Sequence, residues 1–226
     1  ATGRGTAIIT RESANFFNLD LDKSSVVIQG FGNVGSYTAK FLDEMGSKII
    51  AVSDVNGGLY EPDGFDVNAL IEFNSKNRTI KGCGQGMAIS NEKLIGLECD
   101  FLIPAALGGV IHKMNVDELN CKVVVEAANG PVTPTADKKL FEKNIHVVPD
   151  ILTNAGGVTV SYFEWVQNLQ QLQWDESEVN EKLEKKMVSA FREVSSLMEQ
   201  RKTSMRMAAF AVAIDRVAQA YALRGI

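Results

Sequence analysis

Short apolar runs alternate with longer stretches of mixed polarity along most of this chain. Residues 25–29 (SVVIQ), 48–53 (KIIAVS), 100–103 (DFLI), 122–126 (KVVVE) and 145–149 (IHVVP) are rich in β-branched residues and nearly continuous. Strands buried on both faces have that pattern. Between them lie segments of helix length. After the first strand, Val34, Ala39, Phe41, Leu42 and Met45 recur at helical spacing and the pattern stops at Gly46, as at a helix C-cap. Residues 66–75 and 135–142 predict two further helices, the second opening just after Pro134, whereas residues 81–86 (KGCGQG) read as a loop. Buried strands separated by helices imply a parallel sheet covered on both sides.

The two ends differ. Residues 2–17 suit a helix only loosely, through Ala7, Ile8, Ala14 and Phe17. Beyond Asp150, Val179, Leu183, Met187, Phe191, Val194 and Met198 recur every three or four residues, which predicts an amphipathic helix, and an Ala-rich stretch over 203–223 predicts another. The expected architecture is α/β. A doubly wound, mostly parallel sheet with helices on both faces occupies residues 1–150, with its leading helix. A C-terminal helical extension of the same domain occupies 151–226.

Composition changes this picture little. Of 226 residues, 45% are hydrophobic and 23% charged, which excludes disorder as the main reading. A net charge of −5 argues against general binding to a phosphate backbone, so no nucleic-acid partner is expected. No apolar run approaches the length of a membrane helix, and no membrane partner is expected. Cys83, Cys99 and Cys121 are far apart and the chain has two His, so neither a disulfide framework nor a metal site is expected. A reducing, cytoplasmic setting is the default. The chain opens on Ala1-Thr2-Gly3-Arg4-Gly5, without an initiator Met or a signal-like region, and reads as cut from something longer.

The first strand runs straight into Gly30-Phe31-Gly32-Asn33-Val34-Gly35. A strand, G-x-G-x-x-G and a helix in that order are the dinucleotide-binding fingerprint of a Rossmann sheet. Gly30 permits the tight turn, Gly32 admits a pyrophosphate to the backbone, and Gly35 lets helix and strand pack closely. The helix N-terminus then offers free N–H groups to the phosphates. Asp54 closes the next strand, placed to accept both hydroxyls of an adenosine ribose and to repel a 2′-phosphate. That favours NAD, with NADP left open should a cation come from elsewhere in the fold. The competing readings are a glycine-rich turn that binds nothing, and an Asp54 that is merely a solvated turn residue before Asn56-Gly57-Gly58.

Five stretches together carry a resemblance: residues 1–5 (ATGRG), 29–35 (QGFGNVG), 102–111 (LIPAALGGVI), 126–131 (EAANGP) and 154–165 (NAGGVTVSYFEW), continued by 205–210 and 216–226 in the tail. They resemble the nucleotide-binding half of the glutamate dehydrogenases, within the glutamate/leucine/phenylalanine/valine dehydrogenase family. The LGGVI run and the tail look most like the plant and cyanobacterial kind, which leaves a mitochondrial location open. The resemblance implies oxidative deamination of L-glutamate to 2-oxoglutarate and ammonium, with a hydride passing to NAD(P). It also implies a homohexamer and an upstream domain, absent from this chain, that carries the catalytic lysines and aspartate. No catalytic residue is then expected here.

Individual residues follow. By resemblance, Arg4 lies near the substrate, its planar fork suited to a carboxylate, and Ser161 bonds the substrate's side-chain carboxylate. Thr6 is a candidate contact to the nicotinamide amide, with helix packing as the alternative. Ala105 and Ala106 end a strand where small residues leave room for a cofactor, or simply pack closely. Asn129 can bond the ribose or nicotinamide, and Asn154 the nicotinamide carboxamide or the substrate's amino-acid end; either could instead cap a turn or helix. A serine bonding its own helix backbone is the alternative for Ser161. His112, His146, Trp165, Trp174, Met198, Met205, Met207 and the cysteines read as packing residues. The charges Glu181, Lys182, Glu184, Lys185 and Lys186 read as a solvated helix face. Two other functions stay in competition: a leucine, phenylalanine or valine dehydrogenase, and a non-catalytic NAD(H)-sensing module.

Overall fold

The computed structural model describes residues 1–225; Ile226, the last residue of the matched tail, lies outside the described residues. The first helix, α1 (Thr2–Phe16), leads into β1 (Ser25–Gln29), α2 (Asn33–Glu44) and β2 (Lys48–Asp54). Then come β3 (Gly57–Tyr60), α3 (Val67–Asn77), β4 (Met87–Ile89), α4 (Asn91–Ile95) and β5 (Cys99–Pro104). They are followed by β6 (Cys121–Val125), α5 (Pro134–Glu142), β7 (His146–Val148) and α6 (Asp150–Thr153). Three long helices close the chain: α7 (Ala155–Gln170), α8 (Glu176–Arg201) and α9 (Met205–Arg224).

The strands form one sheet in the order β4-β3-β2-β1-β5-β6-β7. The pairs from β2 through β1, β5 and β6 to β7 are all parallel. β3 and β4 add to one edge in antiparallel fashion. The chain winds outward from β1 in both directions, so β1 and β5 diverge at a topological switch point, where open α/β sheets bind ligands.

Both faces of the sheet are buried. Val26, Ile28, Phe101, Ile103, Val123 and Val125 join residues of α1, α2, α8 and α9 in one apolar cluster. Val27, Leu102 and Val124 join Leu94, Ile95, Ala136 and Leu140, from α4 and α5, in the other. Alternate strand residues thus serve opposite faces, as the pleat requires.

Helix α1 is buried almost all round. Its polar residues manage this by bonding their own backbone: the Thr10 and Ser13 hydroxyls donate to the carbonyls of Thr6 and Ile9 at 2.8 and 2.7 Å. Its glycines let neighbours in. A Cβ on Gly3 would stand 2.7 Å from Tyr37 Cβ of α2, and one on Gly5 2.9 Å from Gly156 Cα of α7. The ATGRG and NAGG stretches therefore allow backbone-close helix crossings.

Several packing expectations resolve here. Cys99 and Cys121 are buried opposite one another on β5 and β6, and burial pushes the Cys121 thiol up to about 12. His146 stacks on Phe17 at 3.9 Å, and His112 Nδ1 accepts from the Met114 N–H at 3.3 Å. Lys185 bridges Glu181 at 2.6 Å on the outer face of α8. Met205 is buried, but Met207 and Trp165 are not core residues: they are 59% and 56% exposed, on α9 and α7. No helix of the described residues is long and apolar enough to cross a membrane.

Candidate functional site

Five parallel strands point their carboxyl ends at one edge of the sheet, and each is followed there by a residue singled out in the sequence. After β1 comes the glycine turn. Gly30 takes φ +98°, a left-handed conformation that L side chains rarely adopt, and its N–H donates to Ser53 Oγ at 3.3 Å. A Cβ on Gly35 would fall 1.8 Å from the Gly30 carbonyl oxygen, so only glycine lets α2 start this close to β1. Gly32 differs: it is exposed, and a Cβ there would meet nothing within 4 Å. The backbone at Gly32 is open, as an approaching phosphate needs. Gly32 is also the N-cap of α2, which has no side-chain cap, leaving its first turn available to an anion. Phe31 is buried in the core, and its carbonyl accepts from Asn74 Nδ2 at 3.1 Å, which ties the turn to α3. Asn33 is exposed and Val34 lines the adjoining cavity.

At the end of β2, Asp54 is half-buried and its carboxylate is organised by its surroundings. Oδ2 accepts from Thr79 Oγ1 at 2.6 Å and the Ile80 N–H at 2.9 Å, and Oδ1 from the Asn56 N–H at 2.7 Å. Burial would raise its pKa, but these donors together outweigh burial and hold the carboxyl below the usual range. The bond to Asn56 makes Asp54 a turn residue, though a half-buried one rather than the solvated one set against ribose binding. It is ionised there and partly open to solvent.

Across the switch point, a cavity of about 470 Å³ is lined by Thr2, Val34, Ala105 to Gly108, Ala127 to Asn129, Asn154, Gly157 and Val158. Ala105 and Ala106 keep its floor low, and Gly30 lies close beneath Ala106. At its far end Asn154 Nδ2 donates to Asn129 Oδ1 at 2.7 Å. That bond leaves the Asn154 carbonyl and the Asn129 NH₂ to face a ligand: one acceptor and one donor group, complementary to a carboxamide.

The model of the Glutamate/Leucine/Phenylalanine/Valine dehydrogenase family matches residues 1–225. The chain belongs to this family. It is 49% identical to a glutamate dehydrogenase of Thermotoga maritima, covering 100% of this chain and 55% of that protein. It is 44% identical to a cryptic catabolic NAD-specific glutamate dehydrogenase of Bacillus subtilis, covering 100% of this chain and 52% of that protein. Among solved structures it is similar to the hetero-hexameric glutamate dehydrogenase of Thermus thermophilus, with TM-score 0.93 and 32% identity, over 100% of this chain and 53% of that one. The chain thus spans about half the length of these family members. All three are bacterial and lend no support to a plant-like origin or a mitochondrial location.

Three residues expected at the site stand apart from the cavity. Thr6 is fully buried and its hydroxyl donates to the Thr2 carbonyl at 3.0 Å, so helix packing describes it. The Arg4 guanidinium lies 4.1 Å over the Phe41 ring, against α2. Ser161 is exposed on α7, one turn beyond Gly157 and Val158 on the same side, and its hydroxyl makes no hydrogen bond among the described residues. Thr2 went unremarked in the sequence although it lines the cavity. Its signal was indirect, the small residues of ATGRG and NAGG that bring α1 and α7 together over the strand ends.

Proposed function

We propose that this chain is the cofactor-binding half of a glutamate dehydrogenase, which oxidatively deaminates L-glutamate to 2-oxoglutarate and ammonium. The observation that carries the reading is the cavity at the strand ends, lined by Val34 from the first turn of α2 and by the hydrogen-bonded Asn129–Asn154 pair, beside the open backbone of Gly32. The family and the names of its relatives support the substrate. The residues present fit NAD. Gly32 admits the pyrophosphate, Asp54 accepts the adenosine ribose hydroxyls, and Ala105 and Ala106 give room between. Asn129 and Asn154 hold the carboxamide. When bound, the nicotinamide supplies the hydride acceptor. Residues 1–150 form the dinucleotide-binding sheet and 151–226 its helical part, with Ser161 presented to the substrate's distal carboxylate. The longer protein assembles as a hexamer, a reading supported by the Thermus relative. A cytoplasmic location accords with the bacterial relatives and the three free cysteines.

Fluorescence titration with NADH tests the crevice, and glutamate-dependent NADH formation by the longer protein tests the reaction. Absence of saturable NADH binding would sink the cofactor reading.

NAD(H) is expected to bind at least tenfold more tightly than NADP(H), a difference of about 1.4 kcal/mol. Because the Asp54 pKa is lowered, its charge, and the discrimination with it, persists through neutral and mildly acidic pH. It is lost only as pH falls through that lowered value. Calorimetry with both cofactors checks this, and Asp54→Ala should narrow the gap. Equal or tighter NADP(H) binding would mean that a cation overrides Asp54.

In the longer protein, Ser161→Ala is expected to raise the KM for glutamate about tenfold, the cost of one hydrogen bond to a charged group. Use of a shorter apolar amino acid should be unchanged. A parallel loss with both substrates would make Ser161 a folding residue and reopen the leucine, phenylalanine or valine reading.

A further inference from the structure

The end of β6 carries a carboxylate that never reaches the crevice. Glu126 is 0% exposed, and both of its oxygens are fully engaged. Oε1 accepts from the Val132 N–H at 3.3 Å and Arg206 Nη2 at 2.8 Å. Oε2 accepts from the Asp150 N–H at 2.9 Å and Arg206 Nη1 at 2.9 Å. Arg206 Nη2 also donates to Asp137 Oδ1 at 3.0 Å, and Nη1 lies 3.8 Å from Asp150 Oδ1. One guanidinium thus holds three carboxylates, from the end of β6, from α5 and from the start of α6.

The position of this arginine is costly for its own helix. Arg206 occupies the first turn of α9, where a positive charge opposes the helix dipole. The helix start is already satisfied, since Ser204 Oγ accepts from the Met207 N–H at 3.2 Å. Nor is a buried ion pair needed for stability, because well-packed apolar residues commonly do as well. What an apolar pair cannot do is accept directed bonds from Val132 and Asp150.

Those two bonds bear directly on the crevice. Glu126 and Val132 bracket the loop that carries Asn129, and Asp150 Oδ2 accepts from the Gly130 N–H within that loop at 2.8 Å. Asp150 also opens the short helix that ends at Asn154, whose N–H donates back to the Asp150 carbonyl at 3.0 Å. The Asn129 loop, through Val132, and the Asn154 helix, through Asp150, are therefore both bonded to the Glu126 carboxylate, which Arg206 holds in a bidentate grip.

We propose that Arg206 is a positioning residue, which acts through Glu126 and Asp150 to fix the Asn129–Asn154 pair at the nicotinamide end of the crevice. The proposal rests on the cofactor reading above. The guanidinium itself is not among the residues lining the crevice. Without it, Glu126, Asp137 and Asp150 would face one another with no cation between them. Burial already raises the Glu126 pKa, and loss of its partner would raise it further, toward the protonated form. A protonated carboxyl donates from one oxygen, so the Val132 or Asp150 N–H would lose an acceptor and the amide pair would slacken.

NADH and ADP-ribose separate this role from simple stability, since ADP-ribose shares every part of the cofactor except the nicotinamide. Both are titrated against the longer protein and its Arg206→Lys, Glu126→Gln and Asn154→Ala variants. Lysine keeps the charge but not the bidentate grip. All three substitutions are expected to weaken NADH about tenfold while ADP-ribose stays within about twofold. If Arg206→Lys does not fold, Glu126→Gln, isosteric and neutral, carries the same expectation. Parallel loss of both ligands in Arg206→Lys and Glu126→Gln would overturn the proposal, because it marks a general structural role. Selective loss of NADH in Asn154→Ala alone would leave the cofactor reading standing and overturn the role of Arg206. NADH binding in Asn154→Ala as tight as in the parent protein would overturn both.

Discussion

Gly35→Ala is expected to destabilise the protein by about 3 kcal/mol or more and to abolish nucleotide binding. A methyl group at Gly35 would meet a backbone carbonyl oxygen, Gly30 O, at 1.8 Å, where no rotamer can relieve it. Helix α2 would have to back away from β1 and take the phosphate-facing N-terminus with it. Gly32→Ala is the matched control. Its φ of −81° suits any residue, and the added methyl has open space, so stability should change by no more than about 0.5 kcal/mol. NADH binding should nevertheless weaken at least tenfold, because the methyl occupies the pyrophosphate's approach. Denaturant melts and NADH titrations on the two variants give the comparison. Unchanged NADH affinity in Gly32→Ala would mean that the phosphates lie elsewhere.

Purified by itself, this chain is expected to bind NADH and to turn over no glutamate. Deamination needs a base for the proton of the α-amino group and a group to activate water at the iminium carbon. The residues lining the crevice are alanines, glycines, valines, Leu107, Thr2, Asn129 and Asn154, none of which titrates near neutral pH. An arginine is no general base in a protein, and a serine such as Ser161 without an adjacent base is no nucleophile. The chain can bind and orient but has no group placed there to move a proton. A coupled assay of NADH formation, with a protein-free control, decides the matter. Sustained turnover above that control would put a base inside this half.

The five parallel strands were legible in the sequence because burial on both faces turns each into an unbroken apolar run. The glycine turn was legible because its geometry leaves no alternative to glycine at Gly30 and Gly35. β3 and β4 escaped notice for the opposite reason. Asn56-Gly57-Gly58 reads as a turn, and three residues from Met87 are too few for a pattern, so pairing along the edge makes these strands. Helix α7 fell within the helical extension expected over 151–226 but showed no amphipathic pattern of its own, because its larger apolar residues, Val158, Tyr162, Trp165 and Leu169, face outward and two glycines stand near its start. At the site, Gly32, Asp54 and the strand-end residues could be placed from element order. Thr6 could not, since the sequence does not say which side of α1 faces the strand ends. The Glu126–Arg206 pair was equally invisible, because nothing local relates residues so far apart.

The central pairing of the sheet also governs how the molecule comes to exist. β1 and β5 are neighbours, with Val26 beside Phe101, yet β2, β3, β4 and three helices separate them along the chain. Closing that loop costs entropy before any contact across the pair can repay it, and sheets rich in such distant pairings fold slowly. The crevice is lined by Val34, on the helix that follows β1, and by Ala105 and Ala106, just beyond β5, so it needs both strands in place. During refolding, a dinucleotide would find no binding surface until the slowest closure is complete. It would then act on the rate of unfolding while leaving the rate of folding as it was.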